Sequence, residues 1–246
     1  MLITFTVEKV DKLCYNFFMD YGVLSGYFTD ENFKNKFEIF KVLLKEYNGK
    51  YNLTSITDEK EVYIKHFLDS ILPENNFSYG ASVIEIGSGG GFPSVPLKIV
   101  RDDLNFTLVE STGKKCEFLK AAVDKLGLNG VQVLNMRAED GAHKENLREK
   151  FDVATARAVA RLNTLCEYCL PFVKVGGKFI AYKGECTEEL EESRGAVKIL
   201  GGEIEKVIFY ELPENCGKRT VISIKKVSAT PKKYPRGRGL ERKKPL

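Results

Sequence analysis

A short glycine-rich turn constrains this chain more than any other segment. The turn follows the apolar run 83–86 and contains Gly87, Gly89 and Gly91 ahead of Pro93. An apolar run that ends in such a turn, with proline where the next helix begins, predicts the first β–α unit of an α/β sheet. Ligands of these sheets bind beyond the carboxyl ends of the strands. The residues that close each strand are therefore the first candidates for a binding site.

The spacing of the glycines separates two classes of nucleotide-binding protein. A dinucleotide turn has glycines at offsets 0, 2 and 5, and offset 5 from Gly87 is Phe92. Pro93 also removes a backbone N–H group on which a pyrophosphate would lie. S-adenosylmethionine carries an adenosine without a phosphate, and Glu85 suits its cationic sulfonium and amino groups. The turn favours this ligand, while an NAD-dependent oxidoreductase and a turn without any ligand stay as alternatives.

Composition limits the class of protein. The 246 residues suffice for one large α/β domain with a small appendage. No apolar run reaches the roughly 18 residues that cross a membrane, and the N-terminus lacks the features of a secretory signal. Six cysteines are scattered along the chain, and the Cys166–Cys169 pair has no partner pair for zinc. We expect a cytoplasmic protein with no metal site.

The apolar pattern divides the chain into three parts. Residues 1–78 have helical periodicity, including an amphipathic segment at 7–21. Residues 79–226 alternate between strands and helices, and the last two of seven strands, joined by a short loop, are expected to pair antiparallel. Residues 227–246 form a basic tail. The predicted fold is a Rossmann-like seven-stranded α/β sheet with an antiparallel edge, preceded by a small helical region; this is the variant typical of class I methyltransferases.

Several strand ends carry candidate site residues. Glu110 closes the second strand, where a carboxylate accepts hydrogen bonds from the ribose hydroxyls of a nucleoside. Arg157 and Arg161 follow the fourth strand, and they suit a phosphate or a guanine edge; a structural ion pair is the alternative for Arg157. The chain has no Asn/Asp-Pro-Pro-Tyr motif for amino-group methylation. It offers no evident general base either, so the catalytic residues stay unknown, with Arg157 and Arg161 as positioning candidates.

The basic tail accounts for the positive net charge. Nine of the 38 lysines and arginines lie between positions 225 and 246, and the rest of the chain has a net charge of −4. Pro231, Tyr234 and Pro235 indicate a defined extended path. A basic tail of this kind predicts contact with a polyanion. Removing it after Lys226 is expected to weaken that contact and to leave cofactor binding intact.

Together these segments resemble the bacterial 16S rRNA guanine-N7 methyltransferases, also called glucose-inhibited division protein B. The resemblance spans nearly the whole chain and is carried by these segments: Tyr-Asn-Leu-Thr at 51–54, His-Phe-Leu-Asp-Ser at 66–70, the glycine-rich turn, Arg-Ala-Glu at 137–139, Thr-Ala-Arg-Ala-Val-Ala at 155–160, and the start of the tail.

The resemblance implies methyl transfer from S-adenosylmethionine to N7 of the guanine at position 527 of 16S rRNA in the small ribosomal subunit. A monomeric enzyme is expected. N7 carries a lone pair and no proton, which agrees with the lack of a general base. The implied cofactor contacts are Gly87, Phe92, Ala138, Glu139 and Arg157.

Two departures from the family pattern are visible. The family often has Asp at the position of Glu85, and it commonly reads Lys-Ala-Gly where this chain has Gly-Arg-Gly at 237–239. The second departure bears on the tail contacts. The alternative function is an RNA-binding, ribosome-associated protein that uses a cofactor-binding fold on another acceptor.

Overall fold

The alternating strands form one mixed sheet in the computed structural model, which describes residues 14–16, 28 and 30–246. The sheet order is β1-β7-β8-β6-β5-β2-β3-β4, and only β8 runs antiparallel to its neighbours. The strands are β1 (Cys14–Asn16), β2 (Ser82–Ile86), β3 (Asn105–Glu110), β4 (Val131–Asn135), β5 (Phe151–Arg157), β6 (Val173–Lys183), β7 (Gly202–Glu211) and β8 (Lys218–Lys226).

Helices cover both faces of this sheet. The helix α2 spans residues 59–71 and contains a π-helical stretch at Val62–Leu68, a feature often found at functional sites. The others are α1 (Glu31–Tyr51), α3 (Ser94–Val100), α4 (Gly113–Leu126), α5 (Ala138–Gly141), α6 (Leu162–Cys169), α7 (Thr187–Ile199) and α8 (Leu240–Lys243).

Alternation along the strands produces two apolar layers. On β2, Val83 faces one layer with α1 and α4, and Ile84 faces the other with α6 and α7. The helices before the sheet therefore share a core with it: Phe40 of α1 stacks on Phe67 of α2 and Phe118 of α4 at ring centroid distances of 5.5 and 6.2 Å. Burial of such rings contributes about 2 kcal/mol each. This packing fixes α1 and α2 against the strand ends where ligands bind.

The fold class predicted from the sequence is confirmed, with one additional strand. Cys14–Asn16 forms β1, parallel to β7, whereas the sequence pattern predicts a helical segment at 7–21. The edge of β7 presents unpaired backbone N–H and C=O groups, and pairing with them outweighs a weak local helical preference. The rest of 7–21 lies outside the described residues.

Two helices next to the strand ends have defined caps. The helix α1 ends at Tyr51, and Asn52 after it adopts the left-handed conformation at φ 51°. At the start of α2, the Asp58 side chain caps the helix, accepting from the N–H of Glu61 at 2.9 Å. The division of the chain at 78/79 and 226/227 stays a prediction.

Candidate cofactor and acceptor site

The glycine-rich turn leaves β2 at the centre of the sheet. Gly87 and Gly91 have φ values of 71° and 80°, in the left-handed region. A Cβ atom at Gly87 would lie 2.7 Å from a methyl group of Val159, and one at Gly91 would lie 2.7 Å from a methyl group of Val95. Both positions thus require glycine for conformation and for space. The tight turn brings its backbone between two cavities that meet at Gly87.

The first of these, here called the nucleoside cavity, has a volume of about 320 Å³ and lies beyond β3 and β4. Ala138 and Glu139, at the start of α5, line it, and the family resemblance implies that both contact the cofactor. Its lining is mostly apolar, with one carboxylate and two guanidinium groups, and so it fits an adenosine group. The remaining described lining residues are Ile86, Gly87, Val109, Ser111, Met136, Arg137, Val159, Tyr168, Gly239 and Arg242.

The Glu110 carboxylate is hydrogen-bonded to the glycine-rich turn. It accepts hydrogen bonds from the backbone N–H of Gly89 at 3.0 Å and of Thr112 at 2.8 Å, and the residue is 6% exposed. The Ser111 hydroxyl also donates to it, at 3.5 Å. A carboxylate has about four lone-pair positions, so one stays available for a further donor. Glu110 itself does not line either cavity, although its neighbour Ser111 does. In this conformation it orients the turn, and its contact with a ribose stays a prediction.

The basic tail forms part of the nucleoside cavity. Gly239 and Arg242 line this cavity, and Arg236 holds the tail to α6 through two hydrogen bonds to the buried Glu167 carboxylate, at 2.7 and 2.9 Å. Lys226, at the end of β8, also anchors the tail: its ammonium group is fully buried and donates to the Thr230 hydroxyl and to the carbonyl of Leu170, both at 2.7 Å. The tail is therefore a structural wall as well as a carrier of charge. This placement does not fit the expectation that cofactor binding is independent of the tail.

The second cavity, here called the acceptor cavity, has a volume of about 550 Å³ and lies between the glycine-rich turn, α2 and the ends of β5, β6 and β8. Five cationic side chains line it, and one buried carboxylate, Asp69, balances part of their charge. A cationic cavity of this size suits a nucleotide with its phosphates. The cations are Lys65, Lys115, Arg157, Lys183 and Arg219.

Arg157 is held in place by buried partners. Its guanidinium donates to Asp69 Oδ2 at 3.2 Å and to His66 Nδ1 at 3.2 Å, and it lies 4.9 Å from the centre of the Phe92 ring. Asp69 also accepts from Arg219 at 3.3 Å and from the Tyr210 hydroxyl at 3.0 Å. The ion pair considered for Arg157 from the sequence is thus present. The side chain shapes the cavity wall, and its predicted contact with the cofactor stays a prediction.

His66 is a neutral part of the same wall. Its ring stacks on Phe92 at 4.3 Å between ring centroids, and both residues line the acceptor cavity. Burial, together with the charge of Arg157, lowers the pKa of His66 to about 3. Both ring nitrogens have partners, Arg157 at Nδ1 and Thr54 at Nε2. His66 therefore does not act as a general base near neutral pH.

A fully buried carboxyl group lies beneath the turn. Glu85 is 0% exposed, and neither of its oxygens has a hydrogen-bond partner among the described residues. Burial raises its pKa to about 7, although nearby Ser94 and Arg157 oppose the rise. Glu85 lines neither cavity. When ionised, it would favour a cationic ligand above the turn through its field rather than by direct contact.

Other expectations from the sequence have simpler outcomes. Arg161 lies outside both cavities and pairs with Glu192, so only Arg157 of the two positioning candidates reaches the site. Cys166 and Cys169 are buried in α6, and burial raises the pKa of both thiols. Within the described part of the chain no cluster of three or more ligands suits a metal ion. No helix within 30–246 has the length and apolar character to cross a bilayer.

Sequence reasoning missed several residues of the acceptor cavity. His66, Asp69 and Thr54 belong to segments that carry the family resemblance, but the sequence assigns none of them a role in the site. Arg219 lies on the antiparallel strand β8, outside those segments. Its role could not be predicted because only the tertiary fold brings β8 to the strand ends.

Comparison with known proteins gives a consistent result. The sequence profile of rRNA small subunit methyltransferase G matches residues 33–216. The ribosomal RNA small subunit methyltransferase G of Brevibacillus brevis is 50% identical over 216 residues, covering 87% of this chain and 91% of the relative. The corresponding protein of Clostridium perfringens is 44% identical over 222 residues, covering 89% and 92%.

Solved structures show the same fold at low sequence identity. A SAM-dependent methyltransferase from Aquifex aeolicus superposes with a TM-score of 0.52 at 17% identity, covering 70% of this chain and 96% of that protein. This likeness concerns the fold alone, whereas the sequence matches extend over most of the chain. The chain belongs to the rRNA small subunit methyltransferase G family.

Proposed function

We propose that this chain transfers a methyl group from S-adenosylmethionine to N7 of the guanine at position 527 of 16S rRNA in the small ribosomal subunit. One observation carries the proposal: a nucleoside-sized cavity and a cationic cavity meet at Gly87. A cofactor with its adenosine in the first cavity would extend past Gly87 to the edge of the second. The family membership supports rRNA as the acceptor.

The residues present fit this cofactor. Ala138 and Glu139 lie where the adenine ring would pack, and Glu110 lies within reach of the turn that would carry the ribose. S-adenosylmethionine supplies an electrophilic methyl group on a positively charged sulfur. The Glu85 carboxyl beneath the turn and the Asp69 carboxylate in the acceptor cavity are acids near that position.

Methylation at N7 does not require a general base. The N7 lone pair forms the new N–C bond while the methyl–sulfur bond breaks, and its electron pair stays on sulfur. No proton is lost, since N7 carries none. The side chains around the acceptor cavity therefore need only bind and orient the guanine and exclude water. The neutral His66, with both nitrogens bonded, agrees with this requirement.

Ring contacts of Phe92 support the orienting role. Phe92 stacks on His66 at 4.3 Å, packs tilted against Phe40 at 5.5 Å, and has the Arg157 guanidinium 4.9 Å from its ring centre. The cations around the cavity suit the phosphates on either side of the target nucleotide. The target base must leave its stack, which costs a few kcal/mol, so an unpaired loop is the natural substrate.

We further propose that the enzyme acts as a monomer in the cytoplasm, where ribosomal subunits are assembled. Residues of this chain line both cavities, and Gly239 and Arg242 of its tail line the nucleoside cavity. Gel filtration with light scattering gives the mass directly, and a dimer at micromolar concentration would contradict the proposal.

Transfer of labelled methyl groups tests the reaction. The purified protein is incubated with methyl-labelled S-adenosylmethionine and small subunits from a strain that lacks this modification, and the RNA is then digested to nucleosides. The label is expected in 7-methylguanosine. Binding of the cofactor without any transfer would instead support the RNA-binding alternative with another acceptor.

A further inference from the structure

We propose that the Thr54 hydroxyl selects the acceptor base by donating a hydrogen bond to O6 of the target guanine. The inference rests on the proposed function, since it assumes that a guanine enters the acceptor cavity. It adds a specificity-determining residue to that site.

The Thr54 side chain has a fixed position at the cavity wall. Its backbone N–H donates to the side-chain oxygen of Asn48, near the end of α1, at 2.8 Å. Its hydroxyl oxygen lies 2.7 Å from His66 Nε2 and accepts from the backbone N–H of Ile56 at 3.0 Å. Thr54 is among the residues that line the acceptor cavity. The hydroxyl is therefore held from two sides while the cavity is open to it.

The direction of the bond between His66 and Thr54 follows from Arg157. A guanidinium has only N–H donors, and that of Arg157 lies 3.2 Å from His66 Nδ1. Nδ1 must then present its lone pair, and a neutral ring carries its proton on Nε2. Burial and the Arg157 charge keep the ring neutral. His66 Nε2–H consequently donates to the Thr54 oxygen.

This arrangement leaves the Thr54 hydroxyl as a donor only. A hydroxyl has two acceptor positions and one proton, and both acceptor positions receive N–H groups, from His66 and from Ile56. No acceptor for the proton of this hydroxyl is found among residues 30–246. The proton is therefore available to a ligand in the acceptor cavity, and the oxygen cannot accept a further bond.

A donor-only group at this position distinguishes the purines. Guanine presents O6, an acceptor, beside N7 on its major-groove edge, whereas adenine presents the N6 amino group, a donor. A hydrogen bond to O6 orients the ring and leaves the N7 lone pair free to react. Adenine would place two donors against each other. Arginine can also donate to O6 of guanine, but the guanidinium groups of Arg157 and Arg219 are both paired with Asp69.

The test combines enzyme and substrate variants. Thr54→Val removes the hydroxyl at nearly equal volume, Thr54→Ser keeps it, and Thr57→Val removes an exposed hydroxyl that lies outside both cavities. The substrates are small subunits reconstituted with guanine or with 2-aminopurine at the target position; 2-aminopurine keeps N7 and the 2-amino group but lacks O6. Single-turnover rates of labelled methyl transfer are measured, together with S-adenosylhomocysteine affinity by calorimetry.

The wild-type protein is expected to methylate guanine about 10-fold faster than Thr54→Val does, the loss of one hydrogen bond. On 2-aminopurine the two proteins should have equal rates, and Thr54→Ser and Thr57→Val should resemble the wild type throughout. Equal losses on both substrates, or a 10-fold loss of S-adenosylhomocysteine affinity in Thr54→Val, would overturn the role of Thr54 in reading O6. Failure of the wild type to methylate guanine would overturn the proposed function itself.

Discussion

The buried Glu85 carboxyl makes protein stability depend on pH in a predictable way. Its pKa is 4.5 in the unfolded chain and about 7 in the folded protein. Between these values the unfolded chain has lost the proton that the folded protein still binds, so the free energy of unfolding falls as pH rises. The fall is complete near pH 7 and amounts to about 3 kcal/mol, since each pKa unit is worth about 1.4 kcal/mol.

Glu85→Gln removes this dependence while keeping the shape of the side chain. Relative to the wild type, the variant should gain about 3 kcal/mol in unfolding free energy between pH 4.5 and pH 7.5. Urea denaturation of the cofactor-free protein at several pH values measures the difference directly. Glu145→Gln, which neutralises an exposed glutamate, serves as a control for the change in net charge.

If the free energy of unfolding changes with pH equally in the wild type and in Glu85→Gln across this range, the pKa of Glu85 is not raised in the folded protein. Such a result would mean that water or a polar group solvates the carboxylate in the folded protein. A gain that appears only above pH 9 would mean that burial raises the pKa further than the structure indicates. A cationic ligand should reduce the wild-type penalty, and the pH dependence should therefore be weaker with S-adenosylmethionine bound than without it.

Three further predictions concern the site. Glu110→Ala should weaken S-adenosylhomocysteine binding about 10-fold, because the turn loses the hydrogen bond at Gly89, and should weaken RNA binding less. Calorimetry measures the cofactor affinity and filter binding the RNA affinity. Equal losses of the two affinities would contradict a cofactor role. Deleting residues 238–246 should weaken S-adenosylhomocysteine binding about 10-fold. The slope of log RNA affinity against log salt concentration should also become shallower, by roughly 0.7 for each RNA phosphate that the shortened tail no longer binds. Unchanged cofactor affinity would show that cofactor binding does not need the tail. Asp69→Asn should destabilise the protein by about 3 kcal/mol in urea, because Arg157 and Arg219 lose their buried counter-charge; a loss below 1 kcal/mol would refute this.

The sequence predicts the sheet well because its strands obey simple rules. The run 83–86 lies in β2, and the glycine-rich turn follows it as expected. Periodicity is a poor guide where tertiary pairing decides, as at Cys14–Asn16. It predicts a defined extended path for the tail but not its packing, in which Tyr234 is buried and Arg236 donates to the buried Glu167 carboxylate.

Some residues of the candidate site could likewise be predicted from the sequence, and others could not. Ala138 and Glu139 could be assigned from the family resemblance and lie in the nucleoside cavity. The roles of Thr54 and Asp69 could not, because each depends on hydrogen bonds to residues far away in the chain: Asp69 binds Arg157 and Tyr210. Residue type and spacing predict which strand ends meet, but not which side chains there become fixed by partners.

We propose that the two cavities meeting at Gly87 hold a methyl donor and a guanine of the small subunit. The most direct measurement counts methyl groups transferred per subunit, comparing small subunits that lack the modification with subunits from a normal strain. We expect one methyl group per unmodified subunit, recovered as 7-methylguanosine at position 527, and none on normal subunits. Label on both kinds of subunit, or on another base, would contradict it.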